Sequence, residues 1–260
     1  MTSDRPTLAT TRKERPSFEL ASELVFRPLA HVVVLALAPL RVPPPAVVVA
    51  GAAVGFWAAG ELWAGNLVLA AVLLQVKTVL DGADGQLARA LDRVTVLGRY
   101  LDSESDLLVN AALFAALGSV TGKWWLAAIA FVVVTLVLSV DFDLELLYRR
   151  ERGEPRQARP AATGAAAVLG RVYDVVYAPQ DRLVEWFVER RLRGASPEQR
   201  LAYHDRATLM VVANYGFSTQ FLVLGVCLAA GRPELYLWIV VACGLSLVPL
   251  ELRRERLARA

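Results

Sequence analysis

Six long apolar blocks dominate this sequence, and no water-soluble fold has enough interior to hide them all. They fall at 46–63, 67–80, 100–118, 124–140, 207–230 and 235–250, with charges rare or confined to particular positions. A helix needs about 20 residues to cross the hydrocarbon core of a bilayer, and the flanks of the shorter blocks supply the difference. The chain is 56% hydrophobic. What matters is that these residues come in runs, whereas a soluble domain disperses them at helical or strand spacing. The expected fold is all-α and integral to a membrane, with six transmembrane helices. A seventh apolar stretch, 26–40, is short and has Pro28 and Pro39 near its ends, which suits a helix lying in the interface. It starts after a charged leader and no small-residue cleavage pattern follows, so it does not read as a secretory signal.

Basic residues orient the bundle. With both termini and segments 77–99 and 148–206 on one side, 26 of the 28 Lys and Arg share that side, leaving Lys123 and Arg232 opposite. Such a bias marks the cytoplasmic face. The expectation is a multi-pass protein of the cell (inner) membrane with both termini cytoplasmic. Arg253, Arg254, Arg256 and Arg259 read as topology signals touching anionic lipid, and nucleic acid is not an expected partner. Cys227 and Cys243 lie in apolar blocks without nearby His or Cys, so they read as small hydrophobes, not as zinc or disulfide partners.

Three regions follow. Residues 1–25 form a cytoplasmic leader whose first 17 residues, with Pro6 and Pro16, read as disordered. Residues 26–250 form the six-span domain, carrying a cytoplasmic insertion at 148–206, and 251–260 form a basic tail. The insertion begins with an Arg-, Pro- and Gly-rich linker. It continues as two short amphipathic helices broken at Pro179, then a stop at Gly194 and a fresh N-cap at Ser196.

The chemistry concentrates in LDGADGQLARALDRVTVLGRYLDSESD, residues 80–106. Asp81 and Asp84 are three apart and share a helix face. Gly98, Asp102 and Asp106 are spaced by four and share another. A short connection lets the two faces meet, so four carboxylates converge at the cytoplasmic end of the membrane. Ionised carboxylates near a bilayer cost about 2.5–3.5 kcal/mol each, and four together also repel. Divalent cations remove both penalties, and an all-oxygen site selects hard ions such as Mg²⁺, Mn²⁺ or Ca²⁺. Paired ions are a standard device for phosphoryl chemistry. Gly85, Ala88 and Gly98 permit close approach of a ligand or another helix, and Arg89 is placed to meet a phosphate. Lys77, one turn before Asp81, either neutralises the carboxylates or snorkels.

The order D-x2-D-G-x2-A-R-x8-G-x3-D-x3-D, complete here as Asp81, Asp84, Gly85, Ala88, Arg89, Gly98, Asp102 and Asp106, resembles the signature of the CDP-alcohol phosphotransferases. That resemblance implies a pair of divalent ions, Mg²⁺ or Mn²⁺, on Asp81, Asp84 and Asp102 with Asp106 contributing. It also implies Asp106 as the general base toward the acceptor hydroxyl. Gly85, Ala88, Arg89 and Gly98 then line the cytidine diphosphate pocket. A CDP-alcohol donor, a hydroxyl acceptor, membrane lipids and a second copy of the chain are the implied partners, in phospholipid synthesis. CDP-diacylglycerol with a small acceptor is favoured over CDP-choline or CDP-ethanolamine with a lipid acceptor. One departure is the element before the first span, where Pro44, Pro45 and Val48 replace the Pro, Asn and Thr that many relatives carry.

Other polar groups carry weaker signals. Arg149, Arg150 and Arg206 are candidate acceptor-phosphate ligands or headgroup anchors. Asp141, Asp143 and Glu145 read as a solvated helix end, and His204 as an interfacial residue. Asn214, Tyr215 and Thr219 read as interhelical hydrogen bonders or acceptor contacts, and Trp63, Trp124 and Trp125 as an outer aromatic belt. A cation transporter or a catalytically silent scaffold remains as a different class of protein. A transporter would hold its carboxylates near the midplane.

Overall fold

A computed structural model describes residues 6–12, 15–154, 164, 167, 170, 175 and 178–259, and among them every regular element is helical. A π-helical turn, Ser22–Phe26, runs into α1 (Arg27–Leu37). Then follow α2 (Pro44–Trp63), α3 (Leu67–Ala90), α4 (Val96–Thr121), α5 (Trp124–Glu151), α6 (Ala178–Arg191), α7 (Pro197–Tyr203), α8 (Arg206–Ala213), α9 (Phe217–Ala229) and α10 (Pro233–Arg259).

Local chemistry sets the boundaries. Pro44 opens α2, where a missing N–H costs nothing. Thr95 caps α4 by accepting from Gly98 N at 3.0 Å, and Gly122, at φ +68°, ends that helix in the left-handed region. Ser196 and Gln199 form a reciprocal capping box on α7, after Gly194 at φ +76° has turned the chain. Pro179 sits in the first turn of α6, and the expected helix before it lies largely outside the described residues, as does most of the expected linker.

Four stretches are long and apolar enough to cross a membrane: Pro44–Trp63, Trp124–Glu151, Pro197–Ala229 and Pro233–Arg259. α3 and α4 have 24 and 26 residues, about 36 and 39 Å at 1.5 Å per residue. They carry the charged residues of the candidate site and do not meet the same standard. α2, α3 and α4 pack together, with α9 on α3 and with α5 between α4 and α10. Ala58, Ala59, Ala70, Ala71, Leu74 and Leu113 are buried where these helices meet. Small residues matter here because lipid is as apolar as a leucine side chain, so close van der Waals packing has to replace the hydrophobic drive. At one end of the bundle, Trp63 meets Trp124 at 6.0 Å and Trp125 meets Trp238 at 6.2 Å, centroid to centroid. The aspartates lie on the far parts of α3 and α4.

Several expectations need correcting. The described leader residues are not disordered. Thr11 is fully buried, and residues 15–25 cross the mouth of the bundle. Phe18 O accepts from Asn214 Nδ2 at 2.9 Å, Leu20 N donates to Asn214 Oδ1 at 2.9 Å, and Glu19 Oε1 accepts from Thr219 N at 2.9 Å. α5 continues to Glu151, so Asp141, Asp143 and Glu145 are buried and not a solvated end. Arg15 of the leader pairs with Glu145 at 3.2 Å. Arg254 is no lipid contact. It is 5% exposed, lies 3.9 Å over the Tyr203 ring, and donates to Glu251 and to Tyr203 O.

Candidate active site

The last turns of α3 carry Asp81, Asp84, Gly85, Ala88 and Arg89, and the first turns of α4 carry Gly98, Asp102 and Asp106. The link Leu91–Thr95 is short because Asp92, at φ +50°, turns the chain in the left-handed region. Asp tolerates that conformation better than most residues. The link brings the two acidic faces together, and the four carboxylates lie within electrostatic reach of one another.

Lys77 lies at the back of this cluster. Its ammonium, 1% exposed, forms ion pairs with Asp81 Oδ2 and Asp106 Oδ1 and does not snorkel. Asp84 is 7% exposed, and its Oδ2 is buried with no hydrogen-bond donor. A buried carboxylate oxygen without a donor is costly, and a hard cation would satisfy it. Among the described residues, no three acidic, His or Cys side chains stand already gathered as a complete metal site. The donor set, all oxygen and with one orphaned atom, fits a divalent ion of the Mg²⁺ or Mn²⁺ type.

Glycines make the room. An added Cβ on Gly51 of α2 would lie 3.1 Å from Asp81 Oδ1. One on Gly55, a turn later, would lie 2.6 Å from Val109 Cγ1 and 3.4 Å from Lys77 Cγ. Gly85 leaves space for the Arg89 side chain folding back beside it. Arg89 Nε donates to Thr11 O at 2.6 Å, and Gln86 meets Thr11 Oγ1 at 3.3 Å. Thr11 of the leader therefore packs against the last turns of α3, where Arg89 lies. Gly98 lies in the capped first turn of α4, its backbone N donating to Thr95 Oγ1.

Of the three other arginines, Arg149 and Arg150 have acidic partners of their own. Arg149 pairs with Glu145 and Glu154, Arg150 with Glu185 and Glu189 of α6, and Arg206 is exposed at the start of α8. Asn214 and Thr219 hold the leader, while Tyr215 hydroxyl meets Ser246 at 2.8 Å. Sequence reasoning missed Thr11, Gln86, Gly51 and Phe221, whose ring lies 5.0 Å from Lys77 Nζ. Only Lys77 carried a readable signal, its offset of four from Asp81.

Residues 32–176, more than half of the chain, match the CDP-alcohol phosphatidyltransferase family. The chain belongs to that family. Among similar family members, the archaetidylinositol phosphate synthase of Pyrococcus horikoshii is 36% identical over 90 residues, 34% of this chain and 47% of that protein. The bifunctional IPC transferase and DIPP synthase of Thermococcus kodakarensis is 36% identical over 81 residues, 30% of this chain and 19% of that protein. The CDP-diacylglycerol–serine O-phosphatidyltransferase of Mycobacterium tuberculosis is 24% identical over 204 residues, covering 72% of this chain and 70% of the relative. This phosphatidyltransferase-family chain thus spans about a fifth and about half of the two archaeal relatives.

Proposed function

We propose that this protein is a membrane transferase of phospholipid biosynthesis. It moves a phosphoalcohol, of the phosphatidyl kind, from a CDP-linked donor to a hydroxyl acceptor and releases CMP. The observation that carries this reading is the meeting of Asp81, Asp84, Asp102 and Asp106 on two neighbouring helices, beside Arg89, in a member of this family.

Asp81, Asp84 and Asp102, with Asp106, would hold two divalent ions, Mg²⁺ or Mn²⁺. Bound there, these supply charge neutralisation and Lewis-acid polarisation at the diphosphate. Asp106 takes the proton of the acceptor hydroxyl. The acceptor oxygen bonds to the β-phosphorus, the bond to the bridging oxygen breaks, and its electron pair leaves with CMP. Gly85, Ala88 and Gly98 keep the pocket shallow-walled for the nucleotide. Arg89 uses Nε on Thr11 O, which leaves its terminal nitrogens for a phosphate. Arg206 serves an acceptor phosphate, whereas Arg149 and Arg150 principally tie α5 to its cytoplasmic neighbours.

In the membrane, α3 and α4 cross beside the four apolar spans. α1 lies in the interface, both termini face the cytoplasm of the cell (inner) membrane, and two copies associate. The mycobacterial relative named for CDP-diacylglycerol and serine favours a CDP-diacylglycerol-type donor with a small polar acceptor. Purified protein with Mg²⁺ or Mn²⁺, offered a panel of CDP-alcohols and acceptors, should release CMP from one pair. Asp106→Asn should lower that rate by about 10²–10⁴-fold, the range of a lost general base. A wild type and an Asp106→Asn variant equally silent on every pair would leave a scaffold or a transporter.

A further inference from the structure

The geometry points to Lys77 as a fixed cation of the aspartate cluster, one that holds α3 to α4 when divalent ions are absent and competes with them when they bind. This rests on the metal reading of the cluster proposed above.

Lys77 sits mid-way along α3, and four helices hold it. Its ammonium bridges Asp81, one turn on in α3, and Asp106 in α4. The Phe221 ring of α9 lies 5.0 Å from Nζ, a cation–π distance. Its stem runs past Gly55 of α2, which offers no Cβ to obstruct it. A lysine this deep, with a flexible stem able to reach water from most helix positions, would ordinarily snorkel. Here it is anchored on both oxygens and on a ring.

The position explains why carboxylates can gather before any metal arrives. Asp81 and Asp106 each give one oxygen to the ammonium, and repulsion between α3 and α4 is bridged by a cation the chain carries itself. That same charge must repel an incoming divalent ion. At an effective dielectric of about 20, unit charges a few ångströms apart interact by several kcal/mol. Lys77 therefore sets the cluster to bind metal less tightly than four bare carboxylates would. A weakly held ion can adjust its coordination as the diphosphate enters, which suits a site that exchanges substrate at every turnover.

The test uses the full chain in detergent, as wild type, Lys77→Met and Lys77→Gln. Mn²⁺ affinity is read from the free-ion resonance signal, and thermal unfolding is followed in EDTA and in Mn²⁺. Both variants should melt lower than wild type in EDTA, gain a larger Mn²⁺-dependent rise, and bind Mn²⁺ at least about tenfold more tightly, roughly 1.4 kcal/mol. Recovery of Lys77→Met only when Mn²⁺ is present during purification supports the proposal in the same way. Unchanged or weaker Mn²⁺ binding in Lys77→Gln, with wild-type melting in EDTA, overturns it while leaving the metal site standing. A wild type that binds no Mn²⁺, or an Asp84→Asn variant that binds as well as wild type, removes the metal reading itself, and the proposal falls with it.

Discussion

Gly55→Ala is the smallest change that should disturb both the packing of the bundle and the site. The new methyl would stand 2.6 Å from Val109 Cγ1 and 3.0 Å from Cγ2. Val109 cannot swing aside, since a β-branched residue in a helix has one strongly preferred rotamer. α2 and α4 must then separate, and overpacking of this kind costs about 1–3 kcal/mol. Alanine recovers about 0.5–1 kcal/mol of backbone entropy, so the net loss is about 0–2.5 kcal/mol. Gly60→Ala, on the same helix, meets nothing within 4 Å and should keep the whole entropic gain. The two variants should differ by about 1–3 kcal/mol, or about 2–12 °C in Tm for a chain of this size. Fluorescence-monitored melting in one detergent measures that gap directly. Val109→Ala should narrow it by making room. Equal melting of Gly55→Ala and Gly60→Ala would refute the close approach of α2 to α4.

Two further outcomes follow. Arg254→Met leaves Glu251 short of its partner and removes the cation stacked on Tyr203. It should lower stability by about 3–5 kcal/mol, as removal of one member of a buried pair does, and exposed Arg256→Ala should stay within about 0.5 kcal/mol of wild type; melting curves that coincide would count against the buried lock. Glu19 has its carboxyl pushed above the usual range, chiefly by burial and further by Asp141, against the lowering pull of Thr219 and Arg15. A raised acid contributes its full stability below its ordinary range and loses it as pH rises through the raised value. The leader should therefore exchange amide hydrogens more readily, relative to an unstructured peptide control, at pH 8 than at pH 5. Glu19→Gln should flatten that trend, and an unchanged trend would show that another group sets it.

The helices and the acidic faces were legible because both are written in local spacing. Asp81 and Asp84 three apart, and Asp102 and Asp106 four apart, need only helical geometry to align. Burial of charge was illegible. Asp141, Asp143 and Glu145 end an apolar run, and a pattern of hydropathy treats charge as solvent; α5 runs on through them, and Arg15 of the leader pairs with Glu145. Arg254 misled in the same way, since its partner Tyr203 is some 50 positions away. The leader itself gave no signal, because its polar contacts cross nearly the whole chain and leave no periodicity behind.

That leader also has a consequence for the order in which the protein can be finished. Residues 18–20 leave the ribosome well before their partners, Asn214 and Thr219, which are made 194 to 200 positions later. Phe18, Glu19 and Leu20 must wait at the membrane surface through the insertion of most of the helices. They can close over the mouth only once α8 and α9 stand in place. The strap is thus fastened long after it is translated, and its fastening marks a bundle that has been built as far as α9.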